Sequence, residues 1–249
     1  NRIPFGIFDA DRQPIWGPTM MYVSTGTDAP AKGPFPVTAH GFSVPPQFQS
    51  ETSKSDLQTI GNGYYTTTLP AAESTKKANM LTLTKVGDGF QAAAIGLTLA
   101  KTDPSVAPGE KVPAIDTPTA ESVDGNLEEI DTRIPTDDMH EISLKDALRK
   151  KKPIVLMFAT PKLCASRVCG PVVDVAETVH HELGGDVIFI HNEIYKDNDL
   201  NKGYRPQVEA FGLTSEPFTF VIGSDGRVVE QLQGPFDQAE LNAAIKKAQ

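Results

Sequence analysis

Apolar and polar positions alternate at short period through the first part of the chain, and this pattern predicts strands. Ile3–Phe8, Met20–Ser24, Tyr64–Leu69, Met80–Thr84 and Phe90–Ile95 each carry it, separated by turn-forming clusters. Gly87-Asp88-Gly89 is a hairpin turn between the last two. No stretch of residues 1–100 holds a helical stripe. Several short strands over that length predict an all-β, immunoglobulin-like sandwich. The stretch has no cysteine and one histidine, His40 in a loop-like Ala-His-Gly context, so a spacer or a module that docks a partner is expected.

From about residue 139 the period changes. Ser143 is placed to cap a short helix through Arg149. Ile154–Phe158 is apolar on both faces, as a central strand must be. Pro171–Leu183 carries a helical stripe of Val172, Val175, Ala176, Val179 and Leu183, stopped by Gly184-Gly185. Val187–Ile190 and Thr219–Ile222 read as further strands, with Arg205–Phe211 a helix between them. Ser224-Asp225-Gly226 turns into a fourth strand, Arg227–Leu232, and Asp237–Lys247 closes as a helix. The predicted order is β-α-β-α-β-β-α.

Residues 101–138 join these halves. They hold five prolines and ten acidic against three basic residues, and carry most of the chain's net charge of −9. Such composition buries little apolar surface, so an extended linker is expected, with an ordered strap through Ile115, Leu127, Ile130 and Ile134 as the alternative. This acidity argues against a nucleic-acid partner, which requires a basic face. No apolar run approaches the roughly 18 residues of a membrane-spanning helix. The 249 residues, 39% hydrophobic, suffice for two cores. The expected division is 1–100, linker 101–138, and 139–249.

Both cysteines of the chain, Cys164 and Cys169, lie where a buried strand meets a helix. Two close cysteines suggest one pair, either redox-active or structural. On a continuous helix, residues five apart would place their Cα atoms about 8 Å apart, beyond disulfide reach, so part of 164–169 must be non-helical for a bond to form. Pro171 agrees, because proline suits a helix's first turn. Cys169, at the helix start, is expected to be the more reactive sulfur.

Residues from about 142 to 248 resemble the thioredoxin superfamily, in particular its exported members. Cys169-Gly170-Pro171 is similar to the start of that family's Cys-Gly-Pro-Cys, and Phe211 through Val221 resembles the segment containing its cis-proline, here Pro217. Asp225-Gly226-Arg227-Val228 is similar to the turn of its terminal hairpin. The resemblance implies thiol–disulfide exchange with a protein or small thiol, Cys169 attacking, Cys164 resolving and Pro217 shaping the groove. Glu216, just before Pro217, would stand near the reactive sulfur. Val172 occupies the position of the family's second cysteine, and Met157 that of its buried acid. No cofactor and no metal are expected.

A closed structural disulfide, a peroxidase using Cys164 near Thr160, and copper binding with His191 remain as alternatives. An extracytoplasmic setting follows as an expectation from the two-part layout and the start at Asn1, with an export signal or membrane anchor removed.

Overall fold

The computed structural model describes residues 2–25, 29–69, 78–97 and 103–249. The chain divides into two compact units. One comprises Asn1–Gly41 and Thr59–Asp103, the other Phe42–Gln58 and Pro104–Gln249.

The first unit is a curled antiparallel sheet of β1 (Arg2–Phe5), β2 (Thr19–Ser24), β3 (Lys32–Gly41), β4 (Gly63–Thr68), β5 (Ala78–Val86) and β6 (Gly89–Leu97). Its strand order is β1-β4-β3-β2-β5-β6. The expected immunoglobulin-like pair of sheets is therefore replaced by one six-stranded sheet. The reason lies in β3, which serves both halves: Lys32–Pro36 pairs with β2, and Val37–Gly41 pairs with β4. Met21, Val23, Leu69 and Met80 are buried beneath its curl, with Ile3, Phe5, Phe35 and Val37 against them. His40 lies in β3 rather than in a loop, its ring stacked on Tyr64 and 2.8 Å from the Thr66 hydroxyl.

The second unit contains α1 (Glu51–Ile60, nearly all of it), α2 (Leu144–Ala147), β7 (Ile154–Phe158), α3 (Cys169–Leu183), β8 (Ile188–Asn192), α4 (Pro206–Ala210), β9 (Phe218–Ile222), β10 (Val228–Gln233) and α5 (Gln238–Ala248). The sheet order is β10-β9-β7-β8. β7 runs parallel to β8 and antiparallel to β9. This order and connectivity are thioredoxin-like. Ile154, Leu156 and Phe158 of β7 pack with Leu144, Val208, Phe211 and Phe220 on one face. Side-chain alternation sends Val155 and Met157 to the other, where α3 and α5 pack together.

Two segments change the organisation expected from the sequence. From Pro104 onward, the stretch read as a linker is an ordered strap of the second unit; residues 101 and 102 lie outside the described residues. It is held by polar partners as well as by apolar residues, Val112 lying in the core with Val106 and Ile115 against it and Ile130 buried. The Val112 N–H donates to Gly226 O, and a Cβ at Gly212 (φ +66°) would lie 2.1 Å from Pro104 O, so close an approach that glycine is required. The acids Asp131 and Asp137 are buried with partners instead of solvated.

Helix α1 carries no apolar stripe. Its buried residues are Ser53 and Asp56, and the Ser50 hydroxyl caps its first turn by accepting the Ser53 N–H. The strap and the 42–58 segment both reach α3, and that is why α3 is buried on all sides from Cys169 to Val179, polar residues included. Arg133 joins the three pieces. Its guanidinium donates to Asp174 at 3.0 Å, to Pro135 O at 2.7 Å and to Phe48 O at 2.7 Å, while the Ser50 N–H donates to the other Asp174 oxygen.

Candidate active site

Strand β7 ends at Phe158, and the chain then turns through 161–167 before α3 begins at Cys169. Leu163 N–H returns to Thr160 O, Arg167 N–H returns to Cys164 O, and Arg167 takes φ +59°. The loop is thus non-helical and folds Cys164 back over the start of α3. Both cysteines are free thiols.

Burial and hydrogen bonding order the two sulfurs oppositely to expectation. Cys169 is fully buried, whereas Cys164 is 9% exposed. The Cys164 thiol is lowered to about 6 by a hydrogen bond from the Cys169 thiol, against burial, with further donation from the Ser166 hydroxyl and the backbone N–H groups of Cys169 and Val168. Those two N–H groups are the exposed donors of the α3 start, so the helix N-terminus that was expected to favour a Cys169 thiolate is directed at Cys164 instead. Burial, and then the Cys164 sulfur, push Cys169 well above the ordinary thiol range; the Thr160 N–H opposes this and Glu216 adds to it.

The Glu216–Pro217 peptide is cis and immediately precedes β9. Glu216, raised by burial, stands close enough to disfavour a Cys169 thiolate. Cys164, Cys169, Glu216 and Pro217 therefore gather at one end of the sheet. Tyr195 joins them and was not anticipated; burial raises its phenol, as do Glu216 and both sulfurs. A shallow depression lined by Ile194, Tyr204, Val208, Leu213 and Ser215 adjoins Glu216.

Beneath the cysteine loop lies a second unanticipated acid. Glu193 follows β8 and is 1% exposed; one oxygen accepts both the N–H and the hydroxyl of Thr132, at 2.8 and 2.7 Å. Thr132 Oγ1 in turn accepts the Lys162 N–H, tying the strap to the cysteine loop. Burial holds Glu193 above the usual carboxylate range. Glu193 lies just past the end of β8, the strand paired with β7.

His191 does not meet the cysteines. Its Nδ1 lies 2.8 Å from Asp137 Oδ2 and its Nε2 3.1 Å from Ala159 O. No group of potential metal ligands among the described residues combines it with either sulfur. Thr160 aims its N–H at Cys169 rather than at Cys164. In the 195–205 loop, Asp197 pairs with Lys202 and Asp199 holds Asn201, so these carboxylates already have partners.

No protein-family model matches the chain, and no curated protein does. Among solved structures, it is similar to a thiol:disulfide interchange protein, a thioredoxin family protein from Chlorobium tepidum TLS, at 18% identity, covering 60% of this chain and 99% of that one with a TM-score of 0.35. The thioredoxin-like description of the second unit rests on its own strand order and connections.

Proposed function

We propose that the second unit is a thiol–disulfide oxidoreductase acting on a protein or small-thiol disulfide. The observation that carries this reading is the Cys164 sulfur: 9% exposed, lowered to about 6, and cradled by two N–H groups of a helix start beside a second, fully buried thiol. Cys164 as thiolate attacks one sulfur of the substrate disulfide. The substrate S–S bond breaks, the departing thiolate takes a proton from solvent, and a mixed disulfide remains on Cys164. Cys169 then gives up its proton and attacks the Cys164 sulfur. That releases the second substrate thiol and leaves a Cys164–Cys169 disulfide, with two electrons transferred to the substrate.

Burial holds Glu216 high, and its charge disfavours the Cys169 thiolate during the resolving step. Pro217 forms the edge against which an extended substrate segment would lie. The extracytoplasmic setting belongs to the same proposal. So does a docking role for the first unit.

The test is thiol trapping across a redox-buffer series. Cys169→Ser is expected to accumulate a mixed disulfide through Cys164, and Cys164→Ser to accumulate none. A potential below about −300 mV with no turnover of any disulfide substrate would instead make the pair a structural bond.

A further inference from the structure

Two carboxylates and two imidazoles converge in the interior of the second unit, apart from the cysteines. Asp131 and Asp137 come from the strap, His140 from just after it and His191 from β8, all at most 2% exposed. One ligand-capable atom from each lies within 4.8 Å of the others. His140 is the informative member. Its Nε2 is 3.2 Å from Asp137 Oδ1 and 3.5 Å from Asp131 Oδ2, close enough for charge pairing, yet neither contact has the alignment of a well-formed hydrogen bond, and Nδ1 has no partner. The ring approaches the carboxylates without pointing at either one. Ligand atoms arranged around a shared centre have this relation, because each is directed at the centre and not at its neighbour.

The geometry points to a buried divalent-cation site, of the zinc type, formed by Asp131, Asp137, His140 and His191. Around a tetrahedral zinc with bonds of about 2.0–2.2 Å, neighbouring ligand atoms are roughly 3.3–3.6 Å apart. His140 Nε2 lies 3.2 Å from Asp137 Oδ1 and 3.5 Å from Asp131 Oδ2, and His191 Nδ1 lies 2.8 and 3.8 Å from the other oxygen of each carboxylate, with one ligand atom from each residue within 4.8 Å of the rest. Small rotations of the two carboxylates, and opening of the 2.8 Å hydrogen bond, would bring one oxygen of each to a common centre.

The supporting shell is already built. His191 Nε2 can donate to Ala159 O, which leaves the Nδ1 lone pair facing the centre. Asp131 accepts the Arg133 and Asp137 N–H groups on separate oxygens, and Asp137 Oδ1 accepts the Met139 N–H. Two carboxylates and two neutral imidazoles balance a doubly charged ion, and a set without thiolate or thioether favours zinc over cuprous copper. Four protein ligands and no open position make the site structural. The ion would fasten the strap to β8 and, through His191, to Ala159, one residue before the Thr160 N–H that reaches the Cys169 sulfur.

The experiment uses the full chain with Cys164→Ser and Cys169→Ser, so that neither thiol can bind metal and the result is independent of the redox reading. The protein is unfolded with a chelator and refolded with or without zinc. It is then assayed by elemental analysis, by competition against a chromophoric chelator and by X-ray absorption. About one zinc per chain is expected, with a first shell of nitrogen and oxygen only at about 2.0 Å, and a rise in Tm on refolding with zinc. Adding His140→Ala should weaken zinc binding roughly tenfold or more and abolish the Tm rise. If that variant fails to fold, the absorption spectrum of the parent still decides. Less than stoichiometric zinc after refolding, an unchanged Tm, or a first shell without imidazole would overturn the proposal and leave the cluster as a metal-free ion network.

Discussion

If the start of α3 serves Cys164, alkylation of that thiol must follow a titration near pH 6 rather than near the ordinary value of 9.0. At pH 7 a thiol titrating at about 6 is roughly 90% ionised, against about 1% for one at 9.0, a gain of about 90-fold in thiolate. Nucleophilicity per thiolate falls with pKa at a Brønsted slope of about 0.4–0.5, and three units therefore take back roughly 16- to 32-fold. The net advantage at pH 7 is only about threefold to sixfold. At pH 5 the thiolate gain is about 900-fold and the net advantage about 30- to 60-fold, so the acidic limb is where the effect shows. The assay is the rate of iodoacetamide labelling from pH 4 to 10, read by mass spectrometry at Cys164. Buried Cys169 should stay silent. Cys169→Ala removes the strongest donor and should move the midpoint upward, while Cys169→Ser keeps a hydroxyl donor and should largely restore it. A wild-type midpoint at or above pH 8 would refute the assignment of the helix start to Cys164.

Replacing Arg133 with Met leaves Asp174 buried without its partner. A loss of about 3–5 kcal/mol is expected, or roughly 6–20 °C in Tm for the second unit, by calorimetry; a loss under about 1 kcal/mol would mean that water reaches the pair. Asp56 is raised from 3.8 to about 6 by burial, with Arg167 opposing. The folded state therefore holds this proton more tightly than the unfolded state, so the contribution is full below pH 3.8 and is lost as pH rises to about 6. Asp56→Asn should abolish that window, seen as urea midpoints that no longer fall between pH 4 and 6 relative to the wild type; an unchanged slope would contradict it. Glu216→Gln removes a negative charge beside Cys169, and stopped-flow resolution of a preformed mixed disulfide should speed up severalfold. A slower step would mark Glu216 as the proton acceptor.

The second unit was readable because its elements carry dense apolar patterns: β7 spans Ile154–Phe158 as predicted, and α3 begins within two residues of its predicted start. The motif likewise led to Cys164, Cys169, Glu216 and Pro217. What escaped has no apolar signature. β3 holds Pro34 and Pro36 and is mostly exposed, and α1 buries a serine and an aspartate. The acids of the strap look solvated in composition, yet Asp131 and Asp137 are interior because His140, His191 and backbone N–H groups surround them. The order of the two thiols escaped for another reason. It is set by where the Val168 and Cys169 N–H groups point, which depends on a loop with Arg167 at φ +59°.

The path of residues 42–58 bears on any attempt to dissect the protein. They belong to the second unit, though the chain on both sides of them belongs to the first. A recombinant fragment begun at Pro104, the obvious place to cut, would lack the Phe48 carbonyl that accepts from Arg133 and the Ser50 N–H that donates to Asp174. No single nick releases either half intact, and a gene fusion at that point would inherit an incomplete second unit.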